Sequence, residues 1–543
     1  LKPFQLTASC IMKRHVAGVL RTQCRPRCLP PLGLQVGIST CPSDDVPPCQ
    51  ASGLATLLCV GVGTLSVTAA YCYGKRSEQG SDLPTMDAAR LERLVRQGEL
   101  LHPMGAQANF ADLAHALALC CGCVPEGGAR PEKALELARD IGGDKGGACR
   151  QHIVVVLCDG MGCTVLDQHL SPDSFLRRHN HAERLVAVFP STTPAALTTL
   201  ATGVWPGQHG QPGWDLRDQK ECEFPSKPVP VVQLQVLNRE VMDMRSKRPA
   251  KELGFTDEDF FVVPPWWHAQ KALKRRMNFI SAYQGTGFTN WGQGPFAASA
   301  QSIAEVSLDT LGSPSGSKDA IDALRDGIEK ALARVSEADK EGATSYTYIY
   351  TAHPDKHMHC LGVEHAEVGK VVQGFDLELA RLWKSLEGKD AALVITADHS
   401  HITVCPEHMV TLPPEALAYL EYANVGVHGK GRHAVLHTRP GQSQAFLRVW
   451  AKTPQLTENF LLLTVEEASA RGLFGPDEIS AKVRPRLGDF IAISLNAHTL
   501  TTPDEAQEFR DCPAPRCQGA HGSLCKEDLR IPCIILTPAA VGS

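Results

Sequence analysis

Five short segments of this chain carry side chains that commonly bind divalent cations. The segments LCDGMG, FPSTTPAAL, PDKHMH, TADHSH and QGAHGS are spread over more than 360 residues. Each candidate ligand has an oxygen or an imidazole nitrogen as its donor atom. The candidate ligands are Asp159, Thr193, Asp355, His359, Asp398, His399 and His521. Carboxylates and imidazoles around two cations, with one hydroxyl as nucleophile, suit phosphoryl transfer. The set therefore predicts a hydrolase site with two divalent ions.

Each ligand pair is a weak signal when it is taken alone. Asp355 and His359 are four residues apart in a predicted loop, with Gly362 allowing the backbone to turn behind them, and Asp398 and His399 are adjacent. Either pair would also fit a capping aspartate beside a surface histidine. Their joint occurrence after predicted strands favours metal binding instead.

Thr193 lies between a predicted strand and a predicted helix. Pro194 fits the first helical position, the helix would run to about Thr202, and Gly203 would end it. Thr193 would then be the N-cap, where free backbone N–H groups favour an anion. A zinc ion at this place could lower the pKa of the hydroxyl and make it a nucleophile. An ordinary capping threonine would give the same sequence, so both interpretations stay open.

The surrounding elements predict an α/β fold. Continuous apolar runs are expected for strands of a parallel sheet that is covered on both faces. Such runs occur at Ile153–Cys158, Arg184–Phe189, Ser345–Tyr350 and Ala391–Thr396. Helical spacing extends from Ile321 to Val335, and a second helix is expected over Val368–Leu386. We therefore predict a doubly wound, mostly parallel central sheet with helices on both faces.

This topology would bring three carboxylates together. Asp159, Asp355 and Asp398 each follow a predicted strand at once or within a few residues. Because ligands of such sheets bind beyond the carboxyl ends of the strands, the three side chains should meet at one rim. Buried acids so close together would shift towards their neutral forms unless cations held them ionised.

In this order, the segments resemble a known family. CDGMG, VFPSTTPAALTTLATGVWPGQHG, PDKHMHCLG, ITADHSH and GAHGSL resemble the type I phosphodiesterase/nucleotide pyrophosphatase branch of the alkaline phosphatase superfamily. The resemblance spans about Gln151–Thr537 and implies an alkaline-phosphatase-like fold. It also implies hydrolysis of a small phosphodiester or of a nucleotide pyrophosphate.

The same resemblance implies how the ligands divide between two zinc ions. One ion would be held by Asp159, Thr193, Asp398 and His399, and the other by Asp355, His359 and His521. Thr193 would attack phosphorus in line and form a covalent phospho-threonine. Water activated at the second ion would then hydrolyse this intermediate.

Some residues depart from the family pattern or compete with it. Ser400 stands where family members often have glycine, and the imidazoles of His357 and His401 have no assigned role. His433 is a rival to His521 as the last ligand, but it lies in a predicted strand, which favours a core or surface position.

Several other functions fit less well. The nucleophile segment lacks the C-x-P-x-R pattern of sulfatases, and the mutase branch uses a serine nucleophile and a different insertion. A phosphomonoesterase or a phosphonate hydrolase could use the same metal frame. A catalytically silent, membrane-tethered binding protein is the alternative from another class. The small formal charge of −5 on 543 residues argues against a protein that coats nucleic acid.

The first 85 residues differ from the rest and are predicted to be a targeting leader. Residues 1–43 contain basic residues but no Asp or Glu, which is typical of organelle transit peptides. Residues 53–73 are uncharged and long enough for a transmembrane anchor, although a signal-peptide core or a cleaved leader fits as well. Organelle targeting and membrane anchoring are both expected outcomes. Residues 86–543 would form the catalytic domain.

A cap insertion is expected over about 214–300 because this region is rich in aromatic residues. They include Phe260, Phe261, Trp266, Trp267 and Trp291. The rings could stack on a nucleobase or another flat leaving group, or they could pack a small core of the insertion itself.

The cysteines are predicted to be reduced. The chain has 20 of them, thinly spread, and several lie in apolar runs where a thiol would be buried. Cys120 and Cys123 have CxxC spacing, but no second pair completes a zinc site. Cys120 also closes an amphipathic stretch that begins near Asn109, so a plain helix end is favoured over a zinc or redox role.

Overall fold

The strongest apolar runs of the sequence become the central strands of the fold. In the computed structural model, the described residues are 87–123, 130–142, 149–219, short pieces between 231 and 310, 316–421, 427–428, 432–510 and 517–538. They belong to one compact unit, Leu83–Ser543.

The strands vary from two to eight residues in length. In chain order they are β1 (Ala108–Asn109), β2 (His152–Cys158), β3 (Leu185–Val186), β4 (Asp215–Gln219), β5 (Val231–Gln235), β6 (Met242–Asp243), β7 (Arg248–Pro249), β8 (Arg275–Ser281), β9 (Val306–Thr310), β10 (Thr344–Thr351), β11 (Ala391–Thr396), β12 (Ile402–Val404), β13 (Met409–Thr411), β14 (Val427–His428), β15 (His433–Leu436), β16 (Phe460–Thr464), β17 (Phe490–Ser494), β18 (Thr499–Thr501), β19 (Gln518–Ala520), β20 (Arg530–Ile531) and β21 (Ile534–Leu536).

The helices lie mostly between these strands. The described α-helices are α1 (Asp87–Arg96), α2 (Phe110–Cys120), α3 (Pro131–Gly142), α4 (Cys163–His169), α5 (Phe175–His179), α6 (Thr193–Thr202), α7 (Pro206–His209), α8 (Ser317–Lys340), α9 (Asp355–Leu361), α10 (Ala366–Ser385), α11 (Pro414–Leu417), α12 (Ser443–Ala451), α13 (Pro454–Asn459), α14 (Val465–Ala470), α15 (Pro503–Arg510) and α16 (Lys526–Leu529).

The central sheet has the order β21-β11-β2-β10-β8-β9 in the described part of the chain. All neighbouring pairs are parallel except β21, which runs antiparallel to β11. Every residue of β2 and β11 is buried, as expected for Val- and Ile-rich strands with both faces covered. Helix α8 packs against β8 and β10, whereas α3 packs against β11 and β21. The predicted α/β fold with a mostly parallel central sheet is therefore confirmed.

Two sequence predictions about this sheet need correction. The run Arg184–Phe189 does not enter the central sheet, because only Leu185–Val186 is a strand and it pairs with β1 and β20 in a separate small sheet. The region 214–300, predicted as a cap, contains β8, which lies in the central sheet beside β10. Apolar runs and aromatic content indicate burial, but they do not identify the sheet in which a strand pairs.

Two of the tryptophans singled out in the predicted cap belong to the main core. Trp266 and Trp267 are 4% and 5% exposed. The Trp266 indole donates a hydrogen bond to the Leu200 carbonyl, and its ring meets Tyr346 edge-on. These two rings therefore pack in the main hydrophobic core and do not form a stacking surface. Phe260, Phe261 and Trp291 lie outside the described residues.

A second hydrophobic core lies in the stretch between β12 and β19. It includes apolar side chains between Val410 and Leu500. At the base of this stretch, β12 pairs antiparallel with β19. Cys405, which follows β12, and Cys517, which precedes β19, form a disulfide. The prediction of reduced cysteines is wrong for this pair. The partners are 112 residues apart in sequence, so only the folded chain shows that they are neighbours.

The predicted leader and candidate anchor over 53–73 lie outside the described residues. Within the part that the structure describes, no helix has both the length and the apolar character needed to cross a membrane.

Candidate metal and catalytic site

Three carboxylates meet at the carboxyl ends of adjacent central strands, as the topology predicts. Asp159 directly follows β2, Asp398 follows β11 by two residues, and Asp355 follows β10 by four. Asp159 and Asp398 are 2% and 0% exposed. Because β2 pairs with both β10 and β11, the three acids must share one rim.

Thr193 lies at the beginning of helix α6, but it is the first helical residue and not the predicted N-cap. Thr192 is the N-cap residue, and Thr193 is the first residue of the helix, which ends at Gly203 in a left-handed conformation. The capping interpretation of Thr193 is therefore wrong, since the cap position belongs to its neighbour. The Thr193 side chain is 3% exposed and points at the carboxylates. Free N–H groups of the first helical turn also face this end of the helix.

We call the first set of ligands the nucleophile group: Asp159, Thr193, Asp398 and His399. The Thr193 Oγ1 atom lies 3.4 Å from Asp159 Oδ1 and 3.1 Å from His399 Nε2. His399 Nε2 is also 3.4 Å from Asp159 Oδ1 and 3.4 Å from Asp398 Oδ2. One divalent ion could therefore be reached by all four side chains.

We call the second set the outer group: Asp355, His359 and His521. Asp355 and His359 are on helix α9, not in a loop as predicted, and their four-residue spacing places them on one face. The distance from Asp355 Oδ1 is 3.2 Å to His359 Nε2 and 3.8 Å to His521 Nε2. The two imidazole Nε2 atoms are 3.3 Å apart. Gly362, with φ of 80°, ends the helix behind them.

The two groups adjoin each other. His399 of the nucleophile group stacks on His521 of the outer group, with ring centroids 3.6 Å apart. His399 Nε2 is 3.9 Å from Asp355 Oδ1. The structure therefore brings all seven candidate ligands into one connected cluster.

The three candidate ligand histidines direct their Nε2 atoms at the cluster. The Nδ1 atoms of His359, His399 and His521 lie 2.8 to 3.0 Å from the carbonyl oxygens of Gly519, Ser400 and Ser191. A carbonyl oxygen only accepts hydrogen bonds, so each neutral ring carries its proton on Nδ1. The Nε2 lone pairs then face the carboxylates, and metal-binding histidines are usually held in this way.

The electrostatics of the cluster also favour bound cations. Burial raises the pKa of Asp159 well above its usual value, and the charges of Asp398 and Asp355 add to this shift. Asp398 Oδ2 is buried and has no hydrogen-bond partner among the described residues. Opposed lone pairs and an orphaned carboxylate oxygen fit two bound divalent ions.

Sequence reasoning missed Tyr350, which supports the first carboxylate. The Tyr350 hydroxyl donates a hydrogen bond to Asp159 Oδ2 from the neighbouring strand β10. Its ring is 2% exposed. This contact crosses 191 residues of sequence, and only the parallel register of β2 and β10 reveals it.

Other candidates of the sequence analysis lie outside the cluster. His433 is in β15, as predicted, and is 1% exposed in the protein interior beside Phe189. His357 Nδ1 lies 2.8 Å from Nδ1 of His353, not against a carboxylate. Cys120 ends helix α2, and within the described residues neither it nor Cys123 lies in a group that could hold a metal.

This chain is similar to several known proteins. The family model "Type I phosphodiesterase / nucleotide pyrophosphatase" matches residues 153–524. Murine ectonucleotide pyrophosphatase/phosphodiesterase 5 is 16% identical, with a TM-score of 0.48, over 71% of this chain and 88% of that chain. Phosphonoacetate hydrolase from Sinorhizobium meliloti 1021 is 18% identical, with a TM-score of 0.47, over 72% and 91%. No curated protein sequence matches this chain significantly.

Proposed function

We propose that this chain, which belongs to the type I phosphodiesterase/nucleotide pyrophosphatase family, is a zinc-dependent hydrolase of phosphodiester or nucleotide pyrophosphate bonds. Family membership supports hydrolysis of phosphoester bonds. The finer proposal concerns the metal, the nucleophile and the diester preference. It relies most on one observation, which is that Thr193 Oγ1 lies within 3.4 Å of both Asp159 Oδ1 and His399 Nε2.

The ligand set supports zinc over the harder divalent cations. Three of the seven candidate ligands are imidazoles with Nε2 lone pairs facing the cluster, whereas magnesium and calcium sites consist mainly of oxygen ligands. Bound zinc ions would neutralise the three carboxylates, lower the pKa of the threonine hydroxyl and of an attacking water, and offset the charge of a phosphoryl group.

Thr193 is the proposed nucleophile because it is the only hydroxyl of the predicted ligand set. Its Oγ1 atom would form a bond to phosphorus while the bond from phosphorus to the leaving oxygen breaks. The proton of the hydroxyl passes to solvent before or during attack, and the leaving group takes up a proton from solvent. Water would then attack the phospho-threonine, release the phosphorylated product and restore the hydroxyl.

The protein itself orients this reaction. Helix α6 fixes Thr193 at its first position, and its free N–H groups favour the negative phosphoryl oxygens. Tyr350 holds Asp159 through Oδ2, so that Oδ1 remains directed at Thr193. Burial of the nucleophile group limits competing water and strengthens these electrostatic interactions.

A substrate comparison with metal analysis tests the proposal. We expect the purified protein to contain close to two zinc ions per chain and to hydrolyse bis(p-nitrophenyl) phosphate faster than p-nitrophenyl phosphate. Preference for the monoester would support a phosphomonoesterase on the same frame. Protein that holds no zinc and stays inactive after zinc addition would support a silent binding protein instead.

A further inference from the structure

One imidazole in the cluster has no role in the proposed reaction. His401 lies in the loop between β11 and β12, and it is 1% exposed. Its Nε2 atom is 2.6 Å from Asp355 Oδ1, which is the closest approach of any histidine to this carboxylate in the described part of the chain. Proximity alone would allow it to be a further metal ligand.

The distances distinguish a ligand from a hydrogen-bond donor. Two ligands about 2.0 to 2.1 Å from one tetrahedral zinc ion lie about 3.3 Å apart. Asp355 Oδ1 and His359 Nε2 are 3.2 Å apart, which agrees with a shared ion. The 2.6 Å distance from His401 Nε2 to Asp355 Oδ1 is too short for this arrangement and fits a hydrogen bond to an ionised carboxylate.

The orientation of the His401 ring points to the same distinction. The three candidate ligand histidines each place Nδ1 against a backbone carbonyl, but His401 Nδ1 has no hydrogen-bond partner in the described part of the chain. Because its Nε2 atom faces a carboxylate oxygen, the proton of this neutral ring belongs on Nε2. A protonated Nε2 cannot bind a metal ion.

Two glycines make room for this ring and fix its position. A Cβ atom on Gly160 would lie 2.9 Å from His401 Cδ2, and one on Gly519 would lie 2.8 Å from His401 Nδ1. Gly160 also has a φ of 73°, a backbone conformation that residues with a side chain rarely adopt. The main chain therefore approaches the imidazole closely on two sides, and the ring has little freedom to turn its Nε2 atom away from Asp355.

We propose that His401 is a positioning residue that orients the Asp355 carboxylate for the outer metal ion through a hydrogen bond from Nε2–H to Oδ1. The proposal rests on the proposed function, since it assigns an ion to the outer group. It assigns His401 no metal bond and no contact with substrate. Its loss should weaken the outer ion without removing a ligand.

The test compares His401→Leu and His401→Gln with His521→Ala, which removes a proposed ligand. We expect His401→Leu to lower the affinity of the outer zinc about 10- to 100-fold, as is usual when a residue that orients a metal ligand is lost. At saturating zinc it should still bind two ions, whereas His521→Ala should bind the outer ion much more weakly. His401→Gln can keep an N–H donor and should recover part of the affinity.

Cobalt substitution gives a readout that does not depend on activity. The visible spectrum of Co²⁺ in the outer site should keep its shape in both His401 variants, because the ligand set is unchanged. It should change in His521→Ala. His181→Leu, which alters an exposed histidine, is the matched control and should match the wild type in zinc affinity and in spectrum.

The outcomes separate this inference from the proposed function. A one-zinc His401→Leu protein with an altered cobalt spectrum would make His401 a ligand and overturn the inference. Unchanged zinc affinity in a folded His401→Leu protein would also overturn it. Both of these results leave the proposed function intact if the wild type binds two zinc ions and cleaves diesters. A wild-type protein without zinc and without hydrolysis would overturn both.

Discussion

The nucleophile group and the outer group are built from different kinds of structure. Asp159 and Asp398 follow neighbouring strands in the centre of the sheet, and each side chain of the nucleophile group is at most 3% exposed. In the outer group, His359 has 43% of its side chain exposed and Asp355 14%. His521 follows β19, which has only three residues.

This difference predicts unequal stability of the two metal positions. The nucleophile group is held by the main hydrophobic core, which can open only if the central sheet opens. The outer group is held by local restraints. They are the short helix α9, the β12–β19 pair, the Cys405–Cys517 disulfide and the hydrogen bond proposed for His401. We expect the outer ion to be the more easily lost of the two.

The largest expected effect comes from replacing Thr193, the proposed nucleophile. Thr193→Ala should reduce diester hydrolysis by at least about 10³-fold, because no other side chain replaces the attacking oxygen. Zinc content should stay near the wild-type value, since the carboxylates and imidazoles remain. Kinetics and metal analysis of the same preparation check both statements.

Thr192→Val is the matched control for this prediction. Thr192 is buried and its Oγ1 atom has no hydrogen-bond partner within the residues that the structure describes. Loss of its hydroxyl should therefore leave turnover within a few-fold of the wild type. Substantial turnover by Thr193→Ala would mean that Thr192 or water attacks phosphorus, and it would remove the functional distinction between the two groups.

The next effect concerns the outer ion. His521→Ala should lower its affinity by more than about 100-fold, because loss of a direct ligand should exceed the loss of a residue that only orients one. Zinc titration followed by calorimetry should still show the first ion at near-normal affinity. His433→Gln, the rival of the sequence analysis, should leave both affinities unchanged. Unchanged zinc binding in His521→Ala would transfer the ligand role to His433.

A smaller effect is expected from the disulfide. Replacement of Cys405 and Cys517 by Ser should lower the free energy of unfolding by about 2–4 kcal/mol, since the bond closes a long loop. Because β19 leads directly to His521, the outer ion should also bind more weakly than in the wild type. Denaturant unfolding and zinc titration measure the two effects, with Cys149→Ser as an exposed, free-cysteine control. Unaltered zinc affinity would show that the β12–β19 pairing holds His521 without the bond.

The smallest effect should come from Tyr350. Tyr350→Phe removes the hydrogen bond to Asp159 Oδ2 but keeps the ring in the core. A hydrogen bond to a charged group contributes about 1.5–3 kcal/mol, so we expect turnover to fall about 10-fold or somewhat more. The ion of the nucleophile group should bind more weakly, whereas the affinity of the outer ion should not change. Weakening of the outer ion instead would contradict the separation of the two groups.

Much of the fold and of the candidate site could be predicted from local sequence signals. The strands Ile153–Cys158 and Ala391–Thr396 lie in β2 and β11, because continuous β-branched and aliphatic runs indicate burial on both faces. The end of helix α6 at Gly203 was also predictable from its conformational freedom. The pairing of Leu185–Val186 was not, because it depends on strands far away in the chain.

The sequence by itself determined which side chains could bind metal and that they would follow strands, because donor type and apolar periodicity are local properties. Only the tertiary structure decided how the imidazoles of His521 and His401 are oriented and which cysteines are joined. Ring orientation depends on hydrogen-bond partners that are distant in sequence, such as Asp355 for His401. Disulfide pairing depends on the antiparallel register of β12 and β19. Such contacts exist only after the chain has folded.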